Sequence, residues 1–163
     1  MEHTCWQNAM QAELQALEEN HTWDIVPSPS TVKPIGSKWV FSIKLRSDGS
    51  LKCYKAHLVA LGNKQEYGVD YEETFSPVAK MTMVRTILAI VASQSWQLHQ
   101  MDMKNAFLHD DLHEEIYMKL PSGMITSSPH TVCKLRRSLY GLKQAPRAWF
   151  EKFRNTILSF SFT

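Results

Sequence analysis

The stretch SKWVFSIKLRSDGSLKCYKAHLVAL, residues 37–61, constrains this chain more than any other. Trp39, Phe41, Ile43 and Leu45 recur at every second position, the period of a strand with one apolar face. Asp48-Gly49 follows, and that pair takes the positive φ that tight hairpin turns demand. LKCYKAHLVAL then returns, with basic residues set among the apolar ones. The spacing predicts an antiparallel hairpin, so the chain cannot be all-helical.

Helical periods occur elsewhere. Over residues 4–20, Trp6, Met10, Leu14 and Leu17 repeat at near-helical spacing, and Thr4 with Gln7 fits a capping box. TMVRTILAIVASQSW places Val84, Ile87, Leu88 and Val91 in one stripe, with Thr82 positioned to cap it. APRAWFEKFRNTILSF starts with Pro146 in what would be a first turn and stripes Trp149, Phe153, Ile157 and Phe160. Between these, HTWDIVPSPS reads as a short strand ending in a Pro/Ser loop. WQLHQMD alternates as a strand that stops at Asp102. LHEEIYMKLPSGM is a strand or a short helix entering a turn, and TVCKL is a short strand. Helices and strands mix without strict alternation, which gives an α+β class with antiparallel pairing.

Length and charge add bounds. The 163 residues suffice for one domain with a core. A net charge of +2 argues neither for nor against nucleic acid. No apolar run approaches the roughly 18 residues of a membrane span, and MEHTCWQNAM has neither the basic start nor the apolar run of a signal peptide. No membrane association is expected, and an intracellular location is. Cys5, Cys53 and Cys133 lie far apart, in odd number and without C-x-x-C, so reduced thiols are expected rather than a disulfide framework or a zinc site.

Three sets of residues could carry chemistry. Asp102 ends an apolar strand, which suits a metal ligand held on a rigid element or, equally in kind, a cap for the following turn. Asp110-Asp111 with Glu114-Glu115 forms an acidic run, and His109 and His113 stand four apart beside it. The order of residues is not H-E-x-x-H, and a solvated acidic face explains the run. Lys134, Arg136, Arg137, Lys143 and Arg147 are interleaved with Tyr140 and Trp149. Such a stretch either grips a nucleic-acid backbone and stacks bases or covers buried aromatics with snorkelling side chains.

Together, NHTWDIVPSP, IGSKWVFSIK, DGSLKCYKAHLVALG, GVDYEETFSPVAKMTMVRTILAIVAS, WQLHQMDMKNAFLHDDLHEEIYMKLPSG and CKLRRSLYGLKQAPRAWFEKF resemble the reverse transcriptase of copia-type LTR retrotransposons. The likeness runs over residues 6 to 155. It implies a partial right-hand polymerase fold, with fingers and an incomplete palm. Residues 1–80 would hold the N-terminal helix and fingers hairpin, and 81–110 a palm helix and the strand bearing the first catalytic Asp. Residues 111–145 would return to the fingers, and 146–163 would begin a palm helix.

The resemblance also assigns roles. Asp102 becomes the catalytic and metal carboxylate, with Mg²⁺ as the ion, because polymerases stabilise the attacking and leaving oxygens with two metals. Met103 becomes a neighbour of the triphosphate, and Phe107 a steric gate against a 2′-hydroxyl. Lys52 and Lys55 on the hairpin become phosphate-neutralising residues. Tyr140, Gly141 and Lys143 lie in the segment beneath the nucleotide. Arg136, Arg137, Pro146 and Arg147 would contact nucleic acid. The implied partners are an RNA or DNA template–primer, a dNTP and the rest of a Pol polyprotein, in a cytoplasmic particle or the nucleus.

Departures from the family pattern qualify this. His57 stands where the family carries Arg, and neutral His forms no charged bidentate pair. Asp110 replaces a Gly, which makes the Asp-Asp pair an accident of substitution. The family's Tyr-x-Asp-Asp turn falls beyond Thr163, so the isolated chain is expected to be inactive. The alternatives are a non-catalytic nucleic-acid-binding remnant or a degenerate reading frame.

Overall fold

A computed structural model describes residues 2–100, 111–124, 128 and 130–160. Helix α1 (Glu2–Glu19) leads into β1 (Trp23–Pro27), then β2 (Ser37–Leu45) and β3 (Leu51–Ala60). A 3₁₀ turn (Gly62–Lys64), helix α2 (Met81–Ser93), β4 (Asp111–Lys119), β5 (Thr131–Arg137) and helix α3 (Ala145–Ser159) complete the order.

The hairpin forms as its sequence requires. Strands β2 and β3 pair antiparallel from Ser37↔Ala60 to Ile43↔Tyr54, with an irregularity between Lys44 and Leu45. Gly49 takes φ +79° in the turn, and the Asp48 carboxylate accepts from the Ser50 N–H at 2.8 Å. This is the Asx arrangement that makes Asp a turn residue. A second sheet has the order β1-β5-β4, both pairings antiparallel. It puts an early strand beside a late one, so the first thirty or so residues are closed onto the C-terminal half. The two sheets meet at Ile35, whose N–H donates to Tyr117 O at 2.9 Å while its carbonyl accepts from Lys119 at 2.8 Å.

One core joins these parts. Leu14 and Leu17 of α1 pack with Trp23, Leu58, Ile116, Met118, Cys133, Leu135, Leu139 and Leu142. Complete burial of each such leucine is worth about 1.5–3 kcal/mol, so this cluster is the main source of stability. Trp6 extends the contact of α1 to the hairpin, edge-on to Phe41 at 5.1 Å and to Tyr54 at 4.7 Å.

Several expectations change. α1 begins at Glu2, which puts Thr4 inside the first turn rather than at the cap. Lys80 is the N-cap residue of α2 and no side chain caps it, so Thr82 is already helical there. The strand expected to run to Asp102 is absent from its described part: Trp96–Gln100 form no ladder, because no described strand pairs with them. His113 lies on a strand, so its spacing from His109 brings no shared helical face. The apolar stripe of β2 is only partly used. Trp39 packs against the core, whereas Phe41, Ile43 and Leu45 remain about half exposed or more. No residue of α2 is buried.

Candidate functional site

The residues that come together lie where the segment 139–145 crosses the inner end of the hairpin. Gly141 has φ +91°, and a Cβ there would lie 2.3 Å from Ala60 O and 2.6 Å from Val59 Cγ1. A Cβ on Gly62 would lie 2.0 Å from Gly141 O. Two backbones therefore touch at a distance that only glycine permits. The Ala60 N–H donates to Tyr140 O at 2.7 Å and fixes the crossing.

Strand alternation decides which basic residues face this crossing. The pairs Lys38↔Val59, Val40↔His57 and Ser42↔Lys55 share one face of the hairpin. Lys52 has no partner in the ladder: it is the extra residue opposite the step from Lys44 to Leu45, so the alternation that places Lys55 and His57 does not extend to it. The structure brings His57 to the side of Tyr140, Lys55 shares the face of His57, and Lys52 lies nearer the turn at the irregularity. The His57 ring lies 5.6 Å from the Tyr140 ring, and its Nδ1 is 3.2 Å from the Glu13 carboxylate. Glu13 also accepts from the Leu58 N–H at 3.4 Å, so α1 holds the outer edge of β3 at this point.

Lys143 is half-buried and engaged. Its ammonium donates to Gln65 O at 3.2 Å and to the Tyr71 hydroxyl at 3.1 Å. The Gln65 side chain in turn accepts from the Lys143 N–H at 2.9 Å and donates to Gln144 Oε1 at 3.0 Å. Gln144 completes the run by donating to Asp70 O at 3.1 Å. Gln65 and Gln144 are buried, 5% and 3% exposed. Neither glutamine stood out in the sequence, because nothing local distinguishes an amide that will be buried from one that will be solvated.

The expected nucleic-acid contacts are dispersed. Arg136 pairs with Asp24 at 2.5 Å, and Arg147 pairs with Glu73 at 2.7 Å and Glu151 at 3.0 Å. Arg137 sits opposite Asp111 across the β4–β5 ladder, and its N–H donates to Thr22 O at 3.2 Å. Pro146 is exposed in the first turn of α3. Lys134 hydrogen-bonds Glu115, which holds the Glu115 carboxyl below its usual range and lifts Lys134 above its own. Both groups are solvated, so the pair adds little stability. A cleft of about 490 Å³ is lined by Tyr71, Glu73, Glu114, Gln144, Arg147 and Glu151. Its glutamates make it hostile to a triphosphate.

Asp102, Met103, Phe107 and Asp110 lie outside the described residues. Among the described residues no three His, Cys, Asp or Glu side chains stand close enough to hold a metal. No described helix is long and apolar enough to cross a membrane.

Comparison with known proteins identifies the class. The family described as reverse transcriptase (RNA-dependent DNA polymerase) matches residues 20–163, and the chain belongs to that family. Divalent metals serve reverse transcriptases generally. Within the family the chain is of the copia-type retrotransposon kind. It is 51% identical over 159 residues to the retrovirus-related Pol polyprotein from transposon RE1 of Arabidopsis thaliana, covering 96% of this chain and 11% of that relative. It is 51% identical over 146 residues to the corresponding polyprotein from transposon TNT 1-94 of Nicotiana tabacum, covering 89% and 11%. The polyprotein from transposon RE2 of Arabidopsis thaliana is 48% identical over 159 residues. The chain thus spans about a tenth of the length of these relatives, which are larger Pol polyproteins. No solved structure matches it.

Proposed function

We propose that this chain forms the nucleotide-facing part of an RNA-directed DNA polymerase, with β2–β3 as the fingers hairpin and the following segments as part of a palm. The observation that carries the reading is the crossing of Tyr140–Lys143 over the end of the hairpin, on the face that bears Lys55 and His57. Two segments distant in the chain thereby form one surface with basic and aromatic side chains, which suits a triphosphate above and a base or sugar beside it. Lys55 is the proposed phosphate contact. Tyr140 and the exposed backbone of Gly141 are the proposed floor beneath the nucleotide. Lys52 is not included, since it lies at the irregularity near the turn, where strand alternation does not set its face.

Asp102 is the proposed ligand for a divalent cation, with Mg²⁺ as the proposed ion. Bound there, the ion supplies positive charge to triphosphate oxygens and to the attacking 3′ oxygen. Met103 is the proposed triphosphate neighbour and Phe107 the proposed sugar gate. A template–primer and dNTP are the proposed partners, and a cytoplasmic particle or the nucleus the proposed location. The ion pairs that occupy Arg136 and Arg147 count against a separate nucleic-acid-binding role for that stretch.

Primer extension by the polyprotein that contains this chain tests the reading. Asp102→Asn is expected to reduce extension to background, and Phe107→Ala to admit ribonucleotides while deoxynucleotide addition persists. Wild-type rates in Asp102→Asn would overturn the assignment of that carboxylate. Template–primer affinity should fall steeply with salt, as counterion release demands.

A further inference from the structure

The buried amides of Gln65 and Gln144 have no part in the reading above, yet they form a connected run of polar contacts beside the crossing. Their bonds run one way. The Lys143 N–H donates to Gln65 Oε1, Gln65 Nε2 donates to Gln144 Oε1, and Gln144 Nε2 donates to Asp70 O. The first bond fixes the orientation of Gln65, because a backbone N–H needs an acceptor, and each later bond then fixes the next amide. The chain of bonds ties the segment 65–71 to the residue two past Gly141. On the other side, Ala60 N–H to Tyr140 O and the two glycines tie the same turn to β3. The turn is thus held from both flanks.

We infer that Gln65 and Gln144 are positioning residues that set the Tyr140–Gly141 backbone against the hairpin, and so determine where a nucleotide rests. Neither amide reaches the ligand surface, since both side chains are buried. They act through the turn. The inference rests on the nucleotide-facing reading, which gives the turn its purpose.

The isosteric Gln65→Glu separates this role from packing. A carboxylate at 65 accepts from Lys143 N–H as before but presents an acceptor to Gln144 Oε1. If Gln144 turns over, its own oxygen then meets Asp70 O. One bond is lost in either arrangement. Protonation of that glutamate restores a donor at the right place, so acid should restore the lock in the variant and leave the wild type unaffected.

The test uses the polyprotein that contains this chain. Amide hydrogen exchange, expressed as protection relative to the unfolded rate, is followed at Lys143 and Ala60. Binding of dTTP with Mg²⁺ is measured in parallel at pH 7.5. Gln65→Glu is expected to lower protection at both amides about tenfold or more, and to recover it at pH 5. It is expected to weaken dTTP binding by about the same factor while the thermal midpoint of α1 and the three-stranded sheet stays near that of the wild type. Gln144→Glu, whose second oxygen would face Asp70 O, serves as the independent variant should Gln65→Glu fail to fold. Unchanged protection in the variants overturns the lock. Lost protection with unchanged dTTP affinity overturns the positioning role and leaves the nucleotide reading intact. A wild-type polyprotein that shows protection but no dTTP binding overturns the nucleotide reading and with it the purpose of the lock, while the exchange result stands.

Discussion

Gly62 and Gly141 show how single residues shape this molecule. Each lies where a Cβ would collide with the other segment's backbone, and Gly141 also carries a positive φ. A close backbone crossing has no other solution among the amino acids. Gly141 was expected to permit close approach to a ligand; the structure shows that it first permits approach of the chain to itself. Cys133 and Cys53 are a contrasting pair. Burial pushes the Cys133 thiol up to about 12 from its ordinary 9.0, whereas Cys53 is exposed on β3. A raised thiol favours the fold below pH 9.0, and that contribution is lost as pH rises through the folded value near 12. At pH 8 a thiol reagent is expected to modify Cys53 in seconds to minutes and Cys133 only on unfolding. Equal labelling rates for the two, read by mass spectrometry, would contradict the burial of Cys133.

At the scale of elements, the hairpin and α1 depend on each other. A two-stranded hairpin is marginal alone in water. Here α1 supports it through Trp6 on Phe41 and Tyr54, and through Glu13 on His57 and Leu58. Trp6→Ala is expected to cost about 1–3 kcal/mol, mostly through loss of the two edge-on ring contacts and the apolar area beneath them. The loss should appear as faster amide exchange across Val40–Ala56, with β1, β4 and β5 little affected. Uniform acceleration over the whole chain would show that the hairpin is not a separate unit. The hairpin's register, turn and strand lengths follow from its alternation and its Asp-Gly pair, both of them local. The helix stripes were equally readable. What the stripes did not reveal was their use, since α2 has an apolar sequence and no buried residue.

The whole molecule is uneven as a result. Its core lies between α1, the hairpin and the β1-β5-β4 sheet, while α2 exposes Met81, Met83, Ile87, Leu88 and Ile90. An apolar surface of this kind promotes association. The chain is expected to self-associate at micromolar concentration in light scattering, and Ile87→Lys with Leu88→Lys to reduce the association without lowering the thermal midpoint. A chain that stays monomeric before substitution would show that α2 does not drive assembly. The two ends of the sheet are joined by similarly non-local pairing, Trp23 with Leu135 and Ile116 with Leu135. Long-range pairing of this sort should make folding slow compared with a helical domain of the same size.

Local patterns were enough to establish the α+β class, the hairpin, the three helices and the family, because each is encoded in neighbouring residues or in an ordered run of motifs. Asp102, Met103 and Phe107 were placed by the order of motifs alone, and they lie outside the described residues. The site's interior was not legible in the sequence. That Lys55 shares the face of His57 while Lys52 falls at the ladder's irregularity follows from strand pairing. That Lys143 is held by Gln65 and Tyr71, and that Arg136 and Arg147 are occupied by Asp24, Glu73 and Glu151, follows from the approach of segments far apart in the chain. A side chain's charge is a property of its residue, but its partner depends on which surfaces the core brings together, and only the folded packing of α1, the hairpin and the sheet made that choice.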